Sequence, residues 1–191
     1  MEFDNIVLAS ASPRRRELLK FITDDFIVKA SSAEETVPEN LPAEEAPEFL
    51  AMLKAKDIAT ENPQSLVIGA DTCVIADGKI LGKPKDKADA VSMLKALSGK
   101  THKVITGCAL VKEGRSISFS VTTEVEFFSL SEQEIIEYTE SPEPFDKAGS
   151  YGIQGKGGLF VKKINGDYFN VVGLPIAKLK RVINSFLNLT K

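Results

Sequence analysis

The chain has little of what zinc-binding and disulfide-bonded proteins depend on. Its 191 residues include no tryptophan, one histidine (His102) and two cysteines, Cys73 and Cys108. Structural zinc is held by four closely spaced nitrogen or sulfur ligands, which these residues do not supply. A histidine-based catalytic triad would have to run through His102 alone. The two cysteines sit inside apolar stretches, which suggests buried thiols in a reduced compartment rather than a disulfide framework. No apolar run approaches the ~18 residues of a membrane span, and the N-terminus lacks the basic-then-apolar layout of a secretion signal. A cytoplasmic, soluble protein with no membrane attachment is expected. Excess charge of one sign is missing too: 24 basic residues face 27 acidic ones, for a net charge of −3 and a pI of about 5.4. Stable nucleic-acid binders are usually basic, so that class is disfavoured.

What is present is a chain of 43% apolar and 27% charged residues, long enough to bury a real core. Apolar runs alternate with amphipathic stretches, which predicts an α/β fold with a mixed sheet and flanking helices. Strands are expected at Ile6–Ala9, Phe26–Ala30, Leu66–Ala70 (ending in Asp71), Lys103–Lys112, Arg115–Phe127, Leu159–Ile164 and Phe169–Val172. Asp77-Gly78 between short apolar runs predicts a hairpin. Helices are expected at Pro13–Phe21, Glu44–Thr60 (Phe49, Leu50, Leu53 and Ile58 on or near one face), Asp86–Leu97, Ser131–Thr139 and Pro175–Leu189. Ser131 and Glu134 have the spacing of a capping box. The whole chain, 1–191, reads as a single domain of two lobes, with a cleft between them.

The stretch richest in chemistry is Ser10-Ala11-Ser12-Pro13-Arg14-Arg15-Arg16, directly after the first strand. Ser12 suits an N-cap and Pro13 the first helical position, where its missing N–H costs nothing. The exposed N–H groups of a first turn attract anions, and here hydroxyls and guanidiniums join them. Basic residues in a first turn oppose the helix dipole by a few tenths of a kcal/mol each, which points to a bound anion. The three arginines step ~100° apart, so they cannot all face one ligand.

Other candidates are weaker singly. Asp71 sits beyond the carboxyl end of an apolar strand, where α/β folds gather ligands. Thr72 adjoins it. Lys54 interrupts the apolar i, i+4 row of Leu50 and Ile58, so it either snorkels to solvent or places its ammonium in a cleft. Lys83 is presented by a stiff Gly-Lys-Pro loop, and Glu35 opens an acidic loop with Glu34. Gln154 lies in the glycine-rich segment Lys147–Gly155, and its amide both donates and accepts. Cations, acids, a helix N-terminus and an amide together suit hydrolysis of a phosphoanhydride, with carboxylates holding a hard metal ion and activating water.

These motifs, in this order, resemble the Maf family of nucleoside triphosphate pyrophosphatases over nearly the whole chain. The resemblance runs from Leu8-Ala9-Ser10-Ala11-Ser12-Pro13-Arg14-Arg15 through Lys54-Ala55, Gly69-Ala70-Asp71-Thr72, Gly82-Lys83-Pro84 and Leu97-Ser98-Gly99-Lys100-Thr101-His102. It continues to Asp146–Gly155 and ends in Asn170-Val171-Val172-Gly173-Leu174-Pro175. It implies an elongated two-lobed α/β fold and Mg²⁺- or Mn²⁺-dependent hydrolysis of a nucleoside triphosphate to monophosphate and pyrophosphate. By motif match Asp71 is the proton acceptor, a role Glu35 could share, and both are metal ligands. Ser10, Arg14, Arg15, Lys54 and Lys83 match phosphate-side positions; Arg14, Thr72 and Gln154 match positions tied to base selectivity. The Tyr-Gly-Ile-Gln-Gly segment and the Asn-Val-Val-Gly-Leu-Pro tail resemble the branch acting on dTTP and UTP. The sister branch, acting on 7-methyl-GTP, differs there. The family also suggests a homodimer, and its link with septum formation offers a non-catalytic alternative, a cell-division regulator. Leu53 and Asp167 depart from the family pattern.

Overall fold

The computed structural model describes residues 5–188. Among them are strands β1 (Ile6–Ala9), β2 (Phe26–Val28), β3 (Leu66–Ala76), β4 (Lys79–Leu81), β5 (Thr101–Lys112), β6 (Arg115–Phe127) and β7 (Val161–Asn165). The helices are α1 (Pro13–Leu19), α2 (Ala46–Glu61), α3 (Lys87–Leu97), α4 (Glu132–Thr139), α5 (Tyr168–Val172) and α6 (Ile176–Asn188). The strands form one mixed sheet in the order β2-β1-β3-β5-β6-β7, with β4 paired to β3. No helix among the described residues is long and apolar enough to cross a membrane. The predicted end of the last helix at Leu189 lies outside the described residues.

Local signals decide the helix starts. Ser12 caps α1 by accepting from the Arg15 N–H, and Asp86 caps α3 by accepting from the Asp89 N–H. Ser131 and Glu134 close the expected capping box on α4. Asp77-Gly78 and Glu113-Gly114 turn the hairpins, each pair with both φ values positive, as a tight turn of matching twist requires.

The chain divides into two compact units, the boundary falling inside β3, β5 and β6. The first comprises residues up to Asp71, Thr106–Val121 and the segment from Gly173 onward. In it β1 runs parallel to both β2 and β3, with Leu8 beside Val28 and Ile68, and Ala9 beside Gly69. Helix α2 lies very close to this sheet. A Cβ on Gly69 would fall 2.1 Å from the Ala51 carbonyl oxygen, and one on Gly107 2.3 Å from the Pro47 backbone. Glycine on the sheet and alanine on the helix are what permit that approach. The buried face of α2 is accordingly Ala51, Ala55 and Ile58, while Phe49 is exposed. This corrects part of the expected stripe: Ile58 is buried as expected and Leu50 and Leu53 are half-buried, but Phe49 is exposed, and where α2 meets Gly69 the buried positions are the small Ala51 and Ala55.

The second unit comprises Thr72–Ile105 and Thr122–Val172. Its core includes Val74, Leu94, Val104, Val125, Phe127 and Phe160. Helices α3 and α4 are joined on their exposed faces by the ion pair of Lys95 with Glu132 at 2.8 Å. Strand β7 pairs antiparallel with β6 across a bulge at Glu126/Phe127. The predicted strand at Phe169–Val172 is instead helix α5. The Asp167 carboxylate accepts from the Phe169 N–H at 2.8 Å, a capping bond that starts the helix despite its β-branched residues.

Candidate active site

Within the first unit, β1 stops at Ala9 while β3 continues past Gly69 through Asp71 to Ala76. Asp71 therefore does not end its strand, as the sequence suggested. The strand-end position arises because its parallel neighbour β1 terminates there.

The Lys54 ammonium lies 2.7 Å from Asp71 Oδ1 and 3.0 Å from Glu35 Oε2. The Lys54 side chain is 12% exposed, that of Asp71 15% and that of Glu35 53%. Of the two readings of Lys54, the structure gives the enclosed one: its ammonium joins two carboxylates from separate segments. The close packing of α2 on Gly69 carries Lys54 to Asp71, two residues further along the strand.

Arg15 is anchored to backbone. Its Nε donates to the Gly173 carbonyl at 2.9 Å, and its Nη1 donates to the Ala70 carbonyl at 2.9 Å and to Ser10 Oγ at 3.2 Å. Burial pushes the guanidinium pKa down, while nearby Asp71 pushes it up; an arginine starts so high that it stays charged. Ser10 is buried, and its hydroxyl also accepts from the Ser12 N–H. Ser10 and Arg15 thus brace the turn entering α1 against the end of Ala70. Arg14 on the same turn is half-buried, and Arg16 is exposed.

Thr72, Lys83 and Gln154 belong to the second unit. Lys83 is exposed and follows Gly82, whose carbonyl accepts from the Gly149 N–H at 3.1 Å. That bond ties the Gly-Lys-Pro loop to the glycine-rich segment of Gln154, itself exposed. Sequence reading missed Tyr138 and Glu143, which hydrogen-bond to the backbone of this segment. The only local signal was a glutamate before Pro144 at the entrance of a glycine-rich stretch.

His102 and both cysteines are buried. His102 is 2% exposed, with its Nε2 2.8 Å from Tyr151 Oη and its ring edge-on to Phe127. Burial lowers its pKa to about 4. Both cysteines are buried and free, and burial pushes the Cys108 thiol up to about 12, so it is an inert core group.

No group of three metal-ligating side chains occurs among the described residues. The donors that do meet are hard: the Asp71 and Glu35 carboxylates, both within reach of one ammonium. Magnesium-type ions typically take one or two carboxylates and complete their shell with water and substrate phosphates, so this pair fits such an ion.

Residues 5–186 match the family described as Maf-like protein, and the chain belongs to that family. It is 54% identical over 183 residues to the dTTP/UTP pyrophosphatase of Bacillus pumilus, covering 96% of this chain and 97% of that one. It is 50% identical over 181 residues to the dTTP/UTP pyrophosphatase of Bacillus velezensis, covering 95% and 96% respectively. The fold matches that of the Staphylococcus aureus Ham1 protein at a TM-score of 0.57, with 18% identity over 98% of this chain and 100% of that one. A HAM1 protein from Coxiella burnetii matches at 0.53, with 18% identity over 95% and 98% of the chains. These two likenesses concern the fold alone.

Proposed function

We propose that this chain is a nucleoside triphosphate pyrophosphatase that hydrolyses dTTP and UTP to the monophosphate and pyrophosphate. The observation that carries this reading is the Lys54 ammonium held between Asp71 and Glu35 beside the braced turn into α1. The names of the Bacillus relatives support the substrate.

In this reading a water attacks the α-phosphorus and its proton passes to Asp71. Lys54 occupies Oδ1, so Oδ2 is the oxygen that takes the proton. Lys54 also keeps Glu35 next to Asp71 and opposes repulsion between the two carboxylates. Arg15 fixes the Ser10 turn in place by its three bonds, which keeps the donors of that turn aligned without reorganisation during reaction. Arg14 and Lys83 place positive charge against the triphosphate as negative charge shifts onto the leaving pyrophosphate. Thr72 and Gln154 select the base. Asp71 and Glu35 would also hold a divalent cation, Mg²⁺ or Mn²⁺, which when bound neutralises phosphate charge and lowers the pKa of water.

The test is pyrophosphate release from dTTP, UTP, CTP, GTP and 7-methyl-GTP with Mg²⁺ or Mn²⁺. Release is expected from dTTP and UTP, with Asp71→Asn at least about 100-fold slower and folded as the wild type. The amide keeps the shape and one acceptor for Lys54 but takes up no proton. Release from 7-methyl-GTP alone would overturn the base assignment and keep the chemistry. Release from none of the five would overturn the enzyme reading.

A further inference from the structure

The segment Gly152–Gly157 is held at both ends by one carboxylate–phenol pair. The Glu143 carboxylate accepts from the Lys156 N–H at 3.0 Å and from the Gly157 N–H at 3.1 Å. Tyr138 Oη donates to the same carboxylate at 3.0 Å and accepts from the Gly152 N–H at 3.3 Å. The Lys147 ammonium, from the adjoining turn, donates to the Glu143 carbonyl at 2.8 Å. Burial raises the Glu143 pKa, but the backbone donors and Tyr138 outweigh it, and the net shift is downward. The carboxyl therefore stays an acceptor for all three donors.

The glycines make this grip possible. A Cβ on Gly155 would lie 2.4 Å from Glu143 Oε1, one on Gly157 2.8 Å from Tyr138 Oη, and one on Gly152 2.6 Å from Lys147 Cε. Gly155 is not in the left-handed region, with φ −110, so its absent side chain serves close approach and not backbone freedom. Between the two fastened ends, Gly155 N–H closes a turn on the Gly152 carbonyl at 3.2 Å, and Gln154 stands exposed on that turn.

We infer that Glu143, with Tyr138, is a positioning residue for base selection: it fixes the turn from which Gln154 presents its amide to the pyrimidine. This rests on the proposed base-side role of Gln154. Neither Glu143 nor Tyr138 needs to touch the nucleotide; both act through Gln154.

Kinetics on dTTP, UTP and CTP test the inference with the full-length protein and its divalent cation. The proteins compared are the wild type, Gln154→Ala, Glu143→Gln, Tyr138→Phe and the double variant Glu143→Gln/Gln154→Ala. Glu143→Gln sets an NH₂ group against donors where an acceptor stood. It is expected to raise KM for dTTP and UTP about tenfold, the size of one lost charge-assisted hydrogen bond, with kcat little changed. Tyr138→Phe, a milder change that guards against misfolding, should shift KM the same way by less. The double variant should be no worse than Gln154→Ala alone, because the first change acts only through the second residue. A wild-type KM in folded Glu143→Gln, or multiplied effects in the double variant, overturns the inference. A wild-type KM in Gln154→Ala overturns it by removing its premise while leaving the hydrolytic chemistry intact. A wild type inactive on every triphosphate overturns the proposed function first, and this inference with it.

Discussion

His102 carries a pH dependence that its neighbours dictate. Its ring is enclosed by Phe127 and Tyr151, and Nδ1 has no partner among the described residues. A proton on that ring would add buried charge with nothing opposite it. The folded pKa of about 4 lies below the ordinary 6.5 that applies when the chain unfolds. Between those values the unfolded chain binds a proton that the folded chain does not, so acid favours unfolding. The contribution is intact above pH 6.5 and falls by about 3 kcal/mol as the pH drops towards 4. Urea melts of the wild type and of His102→Gln across this range are the check: the variant's stability should depend less steeply on pH. The same residue also shows what sequence reading could do here. A lone histidine was legible as a poor catalyst because a triad needs partners. The bonds of Arg15 to the Ala70 and Gly173 carbonyls were not legible, because they span 55 and 158 positions and leave no local trace.

Among the elements, α2 decides whether the candidate site exists at all. Its approach to the sheet depends on Gly69, where any side chain must push on the Ala51 backbone. Gly69→Ala is expected to cost at least about 2 kcal/mol of stability. By displacing Lys54 from Asp71 it should also lower kcat roughly 100-fold. Chemical denaturation and steady-state kinetics on the same preparation measure both; a stable but fully active variant would show that the packing does not set the site. Elements with chemical punctuation were legible in the sequence, as the caps at Ser12 and Ser131 illustrate. The buried face of α2 was legible only at Ile58, because at Ala51 and Ala55 burial follows smallness beside Gly69. Helix α5 was misread because the Asp167 cap is a side-chain bond that outweighs the strand preference of Val171 and Val172.

At the scale of the molecule, cores of aliphatic and aromatic side chains among the described residues carry the stability, and the proposed cation serves chemistry. A chelator should therefore abolish turnover and lower Tm by no more than a few degrees, with activity restored by Mg²⁺ or Mn²⁺; calorimetry and a pyrophosphate assay on the same treated sample report both. The division of the chain adds a consequence for biosynthesis. The unit that carries Lys54 and Asp71 draws on three separated stretches, the last beginning at Gly173, whereas the other unit is complete at Val172. Arg15 waits for the Gly173 carbonyl, and Arg115 stacks on Phe186 near the far end of α6. A ribosome thus delivers every proposed catalytic group early but withholds the last supports of their unit. A nascent chain halted at Val172 would hold all its chemistry and lack the parts that brace it, so hydrolysis should begin only with full-length release.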